Sequence, residues 1–97
     1  MMIAAMPELV PIFNADCRLY FDGRHNRWVL KAPQQIIFPD QLTLIVLQAC
    51  DGSCSGKQIA HSLALFSALD SVTEEGVLDV LDEFERRGFI SAQRVGL

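Results

Sequence analysis

The sequence predicts an α+β domain in which a three-stranded antiparallel sheet is followed by three helices, in a winged-helix-like order. Between residues 17 and 38, β-forming side chains alternate and are interrupted by turn-forming ones. After residue 39 the spacing of the apolar side chains changes to that of a helix. A length of 97 residues fits one domain. We therefore expect an irregular N-terminal arm over residues 1–14 and a winged-helix-like domain over residues 15–97.

Two β-rich runs, at residues 17–21 and 27–31, surround a turn-forming cluster at residues 22–26 that contains Gly and Asn. This pattern is typical of a β-hairpin. A third short run, at residues 35–38, lies between two prolines. Because proline cannot donate a hydrogen bond to a neighbouring strand, it is confined largely to sheet edges. The third run is therefore predicted to be an exposed edge strand.

Helical periodicity and capping signals mark three helices. The first has Asp40 as its N-cap and ends at the turn of residues 51–53. The second begins with a capping box of Ser55 and Gln58, and the third with a box that opens at Ser71. The positions predicted to be buried are Leu42, Ile45, Val46 and Ala49, then Ile59, Leu63 and Phe66, and finally Val77, Val80, Leu81 and Phe84.

The chain after the third helix resumes an extended pattern. Arg86 and Arg87 place positive charge near the carboxyl end of the helix, where the helix dipole favours it. Gly88 fits the C′ position, which requires a left-handed conformation. Residues 89–92 then read like the start of a wing.

The charge is distributed unevenly along a chain of formal net charge −4. Residues 1–57 hold five acidic and five basic side chains, whereas the last forty residues hold seven acidic and three basic ones. Nucleic-acid binding needs clustered Lys and Arg, so no nucleic-acid partner is expected. No run approaches the ~18 apolar residues that span a bilayer, and residues 1–6 lack the basic start of a signal peptide. A cytoplasmic protein with no membrane partner is expected.

The cysteines and histidines form no complete metal or catalytic set. Three cysteines are an odd number, which argues against a disulfide framework and for a reducing compartment. Cys50 and Cys54 have a spacing that suggests metal binding, but a closed zinc site needs four ligands. Cys17, His25 and His61 are not in paired spacings, so an interhelix turn with two incidental thiols is favoured. We expect no metal and no cofactor, and a binding module that is not an enzyme.

Leu78 stands out on the third helix. By the helical period it lies about 100° from the centre of the buried stripe at Val77, in line with Glu74, Leu81 and Glu85. An apolar residue at this rim, beside an edge strand, fits one wall of a groove. It fits equally a contact with the N-terminal arm or the wing.

The sequence resembles the PqqD family, over about residues 15–92. The resemblance rests on several short pieces in a common order. These are Arg18 and Asp22, Trp28-Val29-Leu30 with Ala32-Pro33, Asp51-Gly52, Ile59-Ala60 with Leu63, Asp79-Val80, and Arg87-Gly88-Phe89-Ile90. The chain departs from the family where Leu-Leu-x-Pro-Glu is usual, since it reads Leu30-Lys31-Ala32-Pro33-Gln34.

The resemblance implies a non-catalytic peptide chaperone of pyrroloquinoline quinone biosynthesis. Such a protein binds the leader of a ribosomally made precursor peptide and presents it to a radical SAM enzyme, which makes a cross-link between a glutamate and a tyrosine. An extended leader is expected to add to the edge strand, with the third helix as the other wall. The expected contacts are Ile36, Ile37 and Phe38 on the strand, and Glu74, Leu78, Leu81, Asp82 and Glu85 on the helix.

Two other classes fit the same order of elements. A winged-helix DNA-binding protein shares it, but its recognition helix should be basic and this third helix is acidic. A dimerisation module is the other alternative. Homodimer formation is expected in any case, through the apolar part of the arm or the uncovered sheet edges.

Overall fold

A computed structural model describes residues 6–66 and 71–93 of the chain, and it confirms the predicted α+β order. Five strands form two antiparallel sheets, and three helices lie between the fourth and fifth strands. The elements are β1 (Val10–Phe13), β2 (Arg18–Asp22), β3 (Arg27–Ala32), β4 (Gln35–Ile37), α1 (Gln41–Gln48), α2 (Gly56–Phe66), α3 (Glu74–Arg86) and β5 (Ile90–Gln93).

The larger sheet has the strand order β2-β3-β4. Asn26 provides a positive φ of 52° in the turn between β2 and β3, a conformation that Asn tolerates better than most residues. Leu19, Leu30 and Ile37 are cross-strand partners and point to the same face, where they pack into the core. Because side chains alternate along a strand, this sheet has one face on the core and one face outside it.

The predicted irregular arm is wrong for Val10–Phe13, which form β1 and pair with β5. Pro11 is fully buried, and its carbonyl accepts a hydrogen bond from the Gly52 amide at 3.3 Å. A proline fits here because β1 has one full strand partner, β5, and meets residues 51–52 on its other side only through an isolated bridge at Ile12 and a bond to the carbonyl of Pro11. The arm is thus part of the domain, and residues 1–5 of the predicted arm lie outside the described residues.

Side-chain caps begin all three helices, and two of the three were predicted. The Asp40 carboxylate accepts from the Thr43 amide at 2.8 Å, and Ser55 and Gln58 bond reciprocally at 2.8 and 3.1 Å. The predicted cap at Ser71 is wrong, because α3 begins at Glu74 and its N-cap is Thr73. The cap is the residue directly before the first helical turn, and two hydroxyls two positions apart compete for that place.

The core joins all three helices to the inner face of the larger sheet and to β5. Its fully buried side chains include Leu30, Val46, Leu47, Val77, Leu81, Phe89 and Ile90. The predicted burial of Phe66 is wrong, since it is 81% exposed at the end of α2. Helical period places Phe66 in line with the stripe, but the described core does not extend to the last turn of that helix. Gly88, with φ of 85°, takes the predicted left-handed position after α3.

Candidate functional site

The edge of β4 is open along one side. Within the described residues β4 pairs with β3 only, so its other edge has no strand partner. The side-chain amide of Gln35 donates to the carbonyl of Arg87 at 3.4 Å. This contact, which the sequence did not predict, places the start of β4 beside the carboxyl end of α3. The edge strand and the helix named from the sequence therefore meet at this end of the helix.

The three strand residues of the predicted site point to two different faces. Ile37 is half-buried and packs against the core, whereas Ile36 is 58% and Phe38 53% exposed. Phe38 lies under the Arg27 guanidinium, with 3.9 Å from its Cζ atom to the ring centroid. A peptide strand added beside β4 would therefore lie next to Ile37 on one face of the sheet and next to Ile36 and Phe38 on the other.

On α3, the predicted wall is only partly accessible. Leu78 is half-buried and packs against the core, but part of it reaches the surface. Leu81 has 0% exposure, so the predicted contact of a ligand with Leu81 is wrong for the structure as it stands. The reason is that Leu81 lies about 40° from Val77 around the helix, which places it within the core stripe.

Asp82 was predicted as a wall residue but is 6% exposed. Its Oδ2 atom lies 3.3 Å from Nε of Arg86, whose own side chain is mostly exposed. Its Oδ1 atom is buried and has no hydrogen-bond partner among residues 6–66 and 71–93. A buried acceptor without a donor costs about 1–3 kcal/mol. A hydrogen-bond donor brought by a bound molecule would remove that cost.

The two glutamates of the predicted site lie at opposite ends of α3. Glu85 lies eleven positions after Glu74, which is about 16 Å along the helix axis. Glu74 is exposed, and its Oε1 atom is 3.8 Å from Nδ1 of His61 on α2. Glu85 is half-buried and lies near the end of α3 that Gln35 touches. The structure thus brings Glu85, but not Glu74, to the β4 end of the helix.

A cavity of about 250 Å³ lies away from β4, at the turn between α1 and α2. It is lined by Ala49, Asp51, Ser53, Cys54, Gln58, Ile59, Ser62 and Leu63. Cys50, next to it in sequence, is buried, and its thiol donates to the Val46 carbonyl at 3.4 Å. Burial, with a smaller effect from the Asp51 carboxylate, raises the pKa of the Cys50 thiol to about 12. Cys50 is therefore a packing residue and a poor nucleophile.

Metal and membrane features are absent from the part of the chain that the structure describes. Within residues 6–66 and 71–93, no three His, Cys, Asp or Glu side chains are grouped so that they could hold a metal ion. The same residues contain no helix with the length and apolarity that crossing a membrane requires.

The chain is similar to known PqqA binding proteins. No protein-family model matches the chain. It is 32% identical over 85 residues to a PqqA binding protein of Rhodopseudomonas palustris, covering 87% of this chain and 83% of that protein. It is 35% identical over 78 residues to a PqqA binding protein of Xanthomonas euvesicatoria, covering 79% and 85%.

A solved structure extends the likeness to the fold. It is the solution NMR structure of the PqqD truncation of Methylobacterium extorquens PqqCD, a functional and stand-alone RiPP recognition element. The two structures agree with a TM-score of 0.62 and 29% sequence identity, over 84% of this chain and 88% of the other.

Proposed function

Because the chain belongs to the PqqA binding protein, or PqqD, family, we propose that it binds the leader of a ribosomally made precursor peptide in pyrroloquinoline quinone biosynthesis. Its relatives are binding proteins and recognition elements, so the chain is a non-catalytic binding module and not an enzyme. The finer proposal is that it presents the bound leader to a radical SAM enzyme, which carries out the chemistry. It needs no metal or cofactor of its own for this role.

The open edge of β4 is the single observation that carries the proposal. A leader peptide in extended form can add there as a fourth strand, since β4 leaves backbone N–H and C=O groups unpaired by any described strand. Main-chain hydrogen bonds would then supply affinity without regard to the peptide's sequence. Selectivity would come from alternate side chains, with Ile37 and Leu78 on one side and Ile36 and Phe38 on the other.

The chemistry of α3 supports a peptide with an apolar anchor and a basic or donor side chain. Leu78 offers partly exposed apolar surface on α3. Asp82 holds a buried oxygen without a donor, and Glu85 adds a second carboxylate one turn away. We therefore retain Leu78, Asp82 and Glu85 in the proposed wall. We omit Leu81, which is buried, and Glu74, which lies at the far end of the helix.

The proposed setting is a reducing cytoplasm, with neither membrane nor nucleic acid as a partner. All three cysteines are unpaired, which a reducing compartment favours. A DNA-binding role would use α3 as the recognition helix, yet its exposed positions Glu75, Asp79 and Glu83 would repel phosphate.

Self-association has one observation in its favour, namely the same β4 edge. Two copies can pair through this edge. The predicted pairing through the arm is not available, because β1 already pairs with β5 within the chain. We propose that a homodimer formed in this way competes with the leader peptide for the edge.

Fluorescence anisotropy with a labelled leader peptide tests the proposal directly. We expect saturable binding of one leader per chain, and at least about tenfold weaker binding of a scrambled peptide of equal composition. Equal binding of the two peptides, or no binding, contradicts it. Self-association in sedimentation without any leader binding would instead support the dimerisation module.

A further inference from the structure

The outer face of the larger sheet, opposite the core, exposes large apolar side chains. Tyr20 on β2 is 42%, Ile36 on β4 58% and the adjoining Phe38 53% exposed. Tyr20 is the cross-strand partner of Val29, and Ile36 that of Lys31, so they share this face. In the described part of the chain the helices pack on the other face, through Leu19, Leu30 and Ile37. Three exposed apolar groups on one open face suggest an interaction surface.

The charge of this outer face is opposite to that of the chain as a whole. Arg18, Arg27 and Lys31 lie on it and are exposed, although the chain has a net charge of −4. None of the three forms a salt bridge with a carboxylate of residues 6–66 or 71–93. Asp22 lies on the same face and accepts a hydrogen bond from His25 at 2.8 Å, and this bond holds the pKa of Asp22 below the usual value. The face is thus apolar at its centre and cationic around it.

A second copy of the chain does not fit this surface. Two outer faces brought together would place three cations against three cations. The exposed acidic stretch of α3, with Glu75, Asp79 and Glu83 at one-turn spacing, has the right charge. It has no exposed apolar side chain between those carboxylates to meet Tyr20 and Ile36. The complementary surface must be apolar at its centre and carry carboxylates at its rim.

We propose that the outer face docks a second, folded protein of this chemistry while the β4 edge holds the leader, an inference that rests on the proposed function. Three strands of five, six and three residues, about 4.8 Å apart, span only about 220 Å², against about 800 Å² per partner in a standard interface. The face alone therefore supports weak docking.

A bound leader would strengthen the docking because it extends the same sheet. The added strand lies beside β4, so its outward side chains join Ile36 and Phe38 on the outer face. The peptide and the second protein then bind with positive coupling, and each raises the affinity of the other by the same factor. The enzyme that receives the leader has the most direct reason to recognise such a combined surface.

Titration of purified radical SAM enzyme with variants of the leader-loaded chain tests this. Arg18→Glu and Tyr20→Ala change β2, two strands or about 10 Å from β4. We expect each to weaken enzyme binding about tenfold and to leave leader affinity unchanged. The matched control is Arg24→Glu, the same charge change at an exposed position in the β2–β3 turn, which should alter enzyme binding less than about twofold. Wild-type chain without leader should bind the enzyme more weakly than loaded chain.

Several results would overturn the docking proposal. The first is that both β2 variants bind the enzyme with wild-type affinity. The second is that Arg24→Glu loses as much enzyme affinity as they do, and the third is that the leader-loaded chain does not bind the enzyme. Binding of single-stranded RNA or of vesicles containing anionic lipid that depends on Arg18, with enzyme binding unaffected, would assign the face to another partner. Leader affinity is measured separately in each variant, so failure of this docking does not count as failure of leader binding.

Discussion

Truncation of Leu78 to alanine separates a role in peptide binding from a role in folding. Leu78 is half-buried in the free chain and packs against the core. Full burial of a leucine side chain is worth about 1.5–3 kcal/mol. A bound leader can cover only the part of Leu78 that is still exposed, which is worth ~1 kcal/mol. Leu78→Ala should therefore raise the Kd for the leader about fivefold. Because Leu78 contacts the core, the same change should also lower the free energy of unfolding by ~1–2 kcal/mol.

Val80 provides the matched control for Leu78. It is also half-buried on α3 and packs against the core, but it lies about 60° from Val77 on the opposite flank of the stripe. Urea unfolding should show a comparable loss of stability in Leu78→Ala and Val80→Ala. Anisotropy with labelled leader should show weaker binding in Leu78→Ala alone. Equal leader binding by the two variants, whether both match wild type or both are weakened, would exclude a specific contact of the leader with Leu78.

Other consequences concern the helix cap, the thiols and self-association. The hydrogen bond from the Thr43 amide lowers the pKa of Asp40 in the folded chain. The cap therefore stabilises the fold fully at pH values above the ordinary aspartate pKa. This stabilisation is lost as the pH falls through the lower pKa of the folded state. Urea unfolding at neutral pH should show Asp40→Ala to cost ~1 kcal/mol and Asp40→Asn much less, with a weaker acid dependence in both. When native chain is treated with iodoacetamide, mass spectrometry should find Cys54 labelled well before Cys50, which is buried. Preferential labelling of Cys50 would contradict its burial. Elemental analysis should find no stoichiometric metal. Sedimentation at high concentration should show dimers that the leader dissociates, and dimers insensitive to leader would exclude pairing through β4.

Most of the regular elements could be predicted because their signals are local. The hairpin, the edge strand and the starts of α1 and α2 follow from alternation, prolines and caps within a few residues. The strand β1 could not, because its partner β5 is about 80 residues away and the buried Pro11 reads as a strand breaker. Ser71 and Thr73 are both suitable N-cap residues by type, and only the observed start of α3 at Glu74 identifies Thr73 as the cap.

The candidate site was predicted less completely than the fold. A helical wheel gives the angle of a side chain but not what covers it, so it placed the fully buried Leu81 on an accessible wall. It also grouped Glu74 with Glu85, although they lie at opposite ends of the helix. The contact of Gln35 with Arg87 joins elements 52 residues apart and has no signal in the sequence. The cations of the outer face, by contrast, follow from the sequence once the strands are assigned, because the period of two places Arg27 and Lys31 on the same face of β3 as Val29.

An amide NMR titration of isotope-labelled chain with the leader peptide tests whether the leader adds to the β4 edge. Addition of a strand at the β4 edge should perturb the amides of residues 35–38 and of α3 from Leu78 to Arg86, and it should protect β4 amides from hydrogen exchange. The amides of β1 and of the cavity at the α1–α2 turn should remain unchanged. Perturbations that cluster at residues 50–55 around that cavity, with β4 unaffected, would contradict leader binding at the β4 edge.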